Sequence, residues 1–179
     1  MNIVIPTHQK DFHWNIDFLK SFNEKCLDKN ESTITFVLSD DHEESIFRKV
    51  IEDNSLNNLN LKITNLDYLV KTLGLRGNGL NGIKLPRNLH TNGKYSIISL
   101  KKIYGVLYSN EDSIVLDSAN ICVNEFYIKD VFNSIKSKPL TYSLLDDPYD
   151  YYEPLSRTVA KESADILKTT AKMWFFQKT

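Results

Sequence analysis

The chain has 179 residues, with 22 basic and 23 acidic side chains. That length suits one domain burying roughly 70% of its unfolded surface without disulfide or metal staples. A net charge of -1 provides no long-range steering toward nucleic acid or an anionic membrane, so any anionic ligand has to be held by local groups.

In chain order, the opening residues MNIVIPTHQKDFHW show no basic leader followed by a long apolar run. No later stretch reaches the roughly 18 apolar residues of a membrane span. The expectation is a cytoplasmic protein with no transmembrane segment, attachment to a membrane surface remaining open. Ile3 to Ile5 reads as a short strand closed by Pro6, and Ile16, Leu19, Phe22 and Cys26 fall at helical intervals over Trp14 to Leu27. Thr33 to Leu38, TITFVL, is β-branched and aromatic enough for a buried strand. Ser39-Asp40-Asp41 then leads into a helix over His42 to Asp53. Leu61 to Thr64 predicts a third strand and Leu66 to Leu73 a short helix closed by Gly74. Three strand-helix units in succession predict an α/β, Rossmann-like domain with a mostly parallel central sheet flanked by helices.

Residues 74–93 hold five of the six glycines together with Arg76, Lys84, Arg87 and His90. This stretch reads either as a loop over a site or as a solvated connection. Neither G-x-x-x-x-G-K-[ST] nor a correctly placed G-x-G-x-x-G is present, which excludes both nucleotide fingerprints. Tyr95 to Val123 predicts an amphipathic helix, an Asn-Glu-Asp turn and an apolar strand ending at Asp117. Asn124 to Ser137 reads as a helix, Leu140 to Leu144 as a strand, and Leu155 to Phe176 as a helix with Trp174 and Phe175 as core anchors. Cys26 and Cys122 lack metal-ligand spacing and read as buried reduced thiols. The absence of a G-x-S-x-G elbow argues against a serine hydrolase.

The order of these segments resembles GT-A-type glycosyltransferases over residues 1 to 126, about two thirds of the chain. VIPTHQKDFHWNIDFLKSF resembles their first strand and helix. Asp40 and Asp41 resemble the acid that meets the base, KYSIISLKKIYGVLY the helix before the metal strand, and IVLDS that strand's end. The resemblance implies a single GT-A-like domain over 1–179. Its nucleotide-binding half would be 1–123, and 124–179 an acceptor-side and C-terminal helix region. It also implies transfer of a sugar from a nucleoside diphosphate, UDP foremost, to a saccharide acceptor in surface glycan synthesis.

Under that resemblance Pro6, Thr7, His8, Asp40, Asp41, Lys101, Lys102 and Asp117 are the expected nucleotide-binding residues. A D-x-D pair holds Mg²⁺ or Mn²⁺ in such enzymes, because hard oxygen ligands suit these cations. Here the triplet is Asp117-Ser118-Ala119. The missing second acid weakens the expected cation site, leaving Asp117 and Asn120 as candidate ligands and Lys101, Lys102 and the loop cations as alternatives for the diphosphate charge. For the lysine pair a solvated helix face competes with this role, and for Asp117 a simple turn cap does. His8 is the one histidine at a strand end where a nucleotide would arrive. A general base would come from Asp146, Asp147, Asp150 or Glu153, with Asp147 and Asp150 foremost. Ala119 also leaves room for a non-catalytic nucleotide- or glycan-binding module of the same fold, and for an interaction domain with no small-molecule site.

Overall fold

A computed structural model describes residues 1–73, 94–137 and 173–176. Four strands run parallel: β1 (Asn2–Pro6), β2 (Thr33–Leu38), β3 (Leu61–Asn65) and β4 (Ser113–Leu116). A fifth, β5 (Met173–Phe176), pairs antiparallel with β4, and the sheet order is β3-β2-β1-β4-β5. Between them lie α1 (Phe12–Lys25), α2 (Asp41–Asp53), α3 (Leu66–Thr72) and α4 (Lys94–Ser109), and α5 (Ile128–Ser137) follows β4. The expectation of a mostly parallel α/β sheet is met. The helix expected through Phe176 is not, since 173–176 is a strand. Four consecutive large apolar residues suit a sheet edge as well as a helix, and the partner that decides is β4, far away in sequence. Residues 138–172, with the expected strand at Leu140 to Leu144, and Gly74 lie outside the described residues.

β1 and β2 are buried at every position because helices cover both faces of the sheet, as parallel strands require. Ile3, Ile5, Ile34, Phe36, Leu38 and Ile114 pack with Phe12, Ile16, Leu19 and Phe22 of α1, Phe47 and Ile51 of α2, and Ile128 and Phe132 of α5. The alternate positions Val4, Val37 and Val115 pack with Leu66 and Leu69 of α3 and Leu100 and Tyr104 of α4. The second face also carries polar groups: Thr35 donates to Asn2 at 2.8 Å, and Asn2 to Ser113 at 3.4 Å.

Gly105 lets α4 lie close on this face. A Cβ there would come 2.5 Å from Val4 Cγ1 and 2.8 Å from Val37 Cγ2, so only hydrogen fits. α5 is held at its start by Asp28, whose carboxylate accepts from the Ile128 and Lys129 amides at 2.5 and 3.2 Å. Cys26 and Cys122 are free thiols, and burial pushes that of Cys26 up to about 11. Among the described residues no helix is long and apolar enough to cross a membrane.

Candidate functional site

Strand order reverses at β1, whose neighbours are β2 on one side and β4 on the other. In open α/β sheets ligands bind outside the carboxyl ends of the strands at such a switch point. Pro6 helps to open one here. The β1–β2 ladder continues through Pro6↔Val37, and Thr7 N–H still donates to Val37 at 3.0 Å. On the other side β1–β4 pairing stops at Val4↔Val115. Asn2 N–H bonds to Asp112 on the β4 side, so alternation points the backbone of residue 6 to β4 as well. Proline has no N–H to continue that ladder. The chain segments leaving β1 and β4 therefore part above the sheet.

Polar side chains gather where they part. His8 Nε2 lies 3.2 Å from Asp11 Oδ2, and Ser118 Oγ donates to the same oxygen at 3.0 Å. Asp11 occupies the N-cap position of α1 without capping it, so its carboxylate ties the segment after β1 to the segment after β4. Burial pushes the His8 pKa below its ordinary value of 6.5, with the nearby Asp11 carboxylate opposing. Asn15, wholly buried on α1, donates to Thr7 Oγ1 at 2.5 Å and to the Asp11 carbonyl at 3.0 Å. Its own Oδ1 is buried without a partner.

Both lysines of α4 reach the carboxyl edge, and neither lies on a solvated face: Lys101 is 1% exposed and Lys102 8%. They diverge. Lys102 Nζ meets Asp117 Oδ1 at 2.8 Å, the lysine side chain 10% and the carboxylate 39% exposed. Asp117 thus faces solvent with its charge already matched. Lys101 Nζ turns the other way, donating to the Thr7 carbonyl at 2.5 Å and to Ser39 Oγ at 3.0 Å, with Glu43 Oε2 4.0 Å away. Desolvation lowers its pKa, although Glu43, Asp40 and Asp11 pull the other way.

The segment after β2 is tied down more firmly. Asp40 Oδ1 accepts from Glu43 N–H at 2.9 Å and caps α2. Asp41 Oδ1 accepts from Asn65 at 2.8 Å, and Asn65 also donates to Glu44. Glu43 reaches back to the Ser39 amide at 2.9 Å and the Gln9 amide at 3.2 Å. Burial alone would raise its pKa, but these two N–H groups and Lys101 outweigh it and hold the carboxyl below 4.5.

Of the residues expected from sequence, Pro6, Thr7, His8, Lys102 and Asp117 border the β1–β4 crevice. Lys101, Asp40 and Asp41 lie along the β2 end of the same edge. Asp147 and Asp150 fall outside the described residues. Sequence reading missed Asp11, Asn15, Glu43 and Ser118. The first three sit in helix-start patterns that look like ordinary caps, and only the fold shows which of them serves another segment.

Asp117 and Asn120, the candidate cation ligands, each already have a partner. Asp117 is paired with a lysine, Asn120 donates its amide to the Asp117 carbonyl, and the described residues contain no group of three His, Cys, Asp or Glu side chains able to hold a metal.

No protein-family model matches the chain, and no curated protein is significantly similar to it. The crystal structure of S. aureus TarS 1–349, a glycosyltransferase, is similar at a TM-score of 0.44 and 17% identity, covering 76% of this chain and 32% of that one. A second S. aureus TarS structure is similar at a TM-score of 0.41 and 18% identity, covering 76% and 19%. The chain therefore spans about a third or less of the proteins it is similar to.

Proposed function

We propose that the β1–β4 crevice binds the nucleotide of a nucleoside diphosphate sugar, and that the protein transfers that sugar to a saccharide acceptor in glycan synthesis. The observation that carries the reading is the Lys102–Asp117 pair at the switch point, its lysine buried and its carboxylate partly exposed, with Ser118 beside it bonded to Asp11. Among the described residues bordering the crevice, Lys102 is the cation that a diphosphate could take up in exchange for Asp117. Its stem is buried on α4, so the ammonium is held in place before a ligand arrives, and a preorganised charge is worth most where it need not reorganise. When phosphate oxygens take up Lys102, Asp117 is released to accept hydrogen bonds from ribose or sugar hydroxyls, which is chemistry a lone carboxylate does well. The leaving diphosphate is then stabilised by an ammonium in the role a dication would fill elsewhere. Mn²⁺ or Mg²⁺ at Asp117 and Asn120 is the competing arrangement, and in this reading it is not required. UDP is the first nucleotide to try, and Asp147 or Asp150 would serve as the base toward the acceptor.

A second reading has a specific observation in its favour. Ala119 stands two residues after Asp117, and Asp117 is already neutralised by Lys102, which suits a module that binds a nucleotide or glycan without turning it over. Calorimetry with UDP, in EDTA and in excess Mn²⁺, followed by donor-hydrolysis assays with UDP-, GDP- and CMP-sugars, separates the two. Binding in EDTA with turnover supports the enzyme. Binding without turnover supports the module, and strict dependence on Mn²⁺ contradicts the role given to Lys102. Lys102→Ala is expected to weaken UDP binding by roughly 100-fold, the scale of removing one preorganised charged donor.

A further inference from the structure

Lys101 is the most deeply buried charge among the described residues, and it makes no contact that a surface anion would need. Its ammonium instead closes a ring of contacts across three parts of the chain. It donates to the Thr7 carbonyl after β1 and the Ser39 hydroxyl after β2. Glu43, 4.0 Å from the ammonium, accepts from the Ser39 and Gln9 amides. The segments leaving β1 and β2 are thereby tied to each other and to α4. One residue further along α4, Lys102 holds Asp117 after β4.

We infer that Lys101 is a positioning residue: its ammonium, held between Thr7 and Ser39 and facing Glu43, fixes the segments after β1 and β2 relative to α4, so that the nucleotide site is formed before the ligand binds. The inference rests on the proposed nucleotide site for its binding consequence, though not for its structural one. A buried ion pair is a poor stability device, because packed apolar residues of similar volume often serve as well or better. What an ammonium adds over a methionine is direction. Two of its N–H donors have defined partners, the Thr7 carbonyl and the Ser39 hydroxyl, so it sets the spacing of two backbone segments that packing alone leaves looser. Thr7 is held from both sides, its carbonyl by Lys101 and its hydroxyl by Asn15, and the residue that follows it is His8. Rigidity of this kind lowers the ordering cost of binding.

The test compares Lys101→Met with Leu69→Ala, a core truncation on the same face of the sheet at a side chain with no polar atom to bond either segment. Hydrogen exchange is followed at the amides of Thr7, Gln9 and Ser39, with Val4 and Phe36 as sheet references, and UDP affinity is measured in the same samples. Lys101→Met is expected to speed exchange at all three segment amides by about tenfold or more while the references change little, the pattern of local opening. UDP affinity should fall about tenfold or more with it, in line with the cost of small misplacements in a site. Leu69→Ala should lower melting temperature without that selective pattern.

Uniform exchange changes that track melting temperature in both variants would overturn the inference. So would unchanged exchange at Gln9 and Ser39. A parent that binds no UDP refutes the nucleotide reading, while the exchange pattern still decides the positioning role. If Lys101→Met does not fold, Ser39→Ala removes one acceptor and leaves the charge. Faster exchange at Ser39 and Gln9 then supports the role, and no change contradicts it.

Discussion

The two ends of the carboxyl edge use the same residue types for opposite purposes. After β2, the carboxylates of Asp40 and Glu43 accept from backbone amides, and Asp41 accepts from the Asn65 side chain. A ligand could take them only by leaving N–H groups unsatisfied, which is costly once they are shielded from water. Between β1 and β4, Asp117 meets a lysine and Asp11 meets a histidine and a serine. These partners are side chains, so a phosphate can take the place of the carboxylate on Lys102 and a ligand hydroxyl can donate to the carboxylate so freed. An acid bonded to the backbone builds the edge, whereas an acid bonded to an exchangeable cation is available for chemistry.

The strongest way to break this contrast is to change one acid at each end. Asp117→Asn keeps shape and hydrogen bonding but removes the charge opposite Lys102. Donor turnover is expected to drop by roughly 100-fold or more, as when one preorganised transition-state contact is lost, with little change in melting temperature. Steady-state hydrolysis of the best donor, beside a thermal melt, checks it. Equal turnover in parent and variant would reduce Asp117 to a turn residue.

Next in size is Gly105→Val, which tests whether α4 sets both ends at once. Its Cβ would lie within 2.5 Å of Val4 Cγ1, and overpacking of a dense core typically costs about 1–3 kcal/mol. Urea unfolding should show that loss, and because α4 carries Lys101 and Lys102, UDP affinity should fall with it.

Smaller still is Asp40→Ala, expected to cost about 1 kcal/mol through the lost α2 cap. Asp40→Asn, which can still cap, should cost a few tenths at most. If Asp40 also contacts the base, Asp40→Asn weakens UDP binding while leaving the urea midpoint in place. The pair of variants therefore separates cap from ligand.

Titration gives the finest comparison. Glu43 is held below its ordinary 4.5, so the unfolded chain takes up that proton first. The stability it contributes is present above pH about 4.5 and is lost as pH falls through the folded value. His8 lies below 6.5, so its contribution weakens as pH falls through and beneath 6.5, again because the unfolded chain binds the proton first. Urea midpoints measured from pH 7.5 to 3.5, with arbitrary spacing of about half a unit, should show a shallow upper limb abolished by His8→Asn and a lower limb reduced by Glu43→Gln.

Much of the sheet was legible because its signals are local. TITFVL could hardly be anything but a buried strand, and it occupies Thr33–Leu38 as read. The helix of residues 94–109 and the strand ending before Asp117 followed from a change of period at the Asn-Glu-Asp turn. β5 was not legible, since a four-residue run of one methionine and three aromatics declares its state only through pairing with β4. The site was legible in outline, through strand ends and their acids, but not in its partnerships. Lys101 and Lys102 are neighbours in sequence and of one type, yet their ammonium groups serve different strand ends. A turn of about 100° per residue around a helix separates them, and only the position of α4 over the sheet decides which faces which. Asp11 and Asp40 likewise both precede helices. One caps and the other reaches across to Ser118, a choice made by β4 being β1's neighbour.

The proposed nucleotide enters between β1 and β4. Amide chemical shifts of ¹⁵N-labelled protein, titrated with UDP in EDTA, test it most directly. Saturable shifts are expected at Thr7, His8, Asp11 and Asp117 to Asn120, abolished by Lys102→Ala, with smaller changes at Asp40 and Asp41. Shifts confined to the start of α2, or no shifts at any UDP concentration short of denaturing the protein, would contradict it.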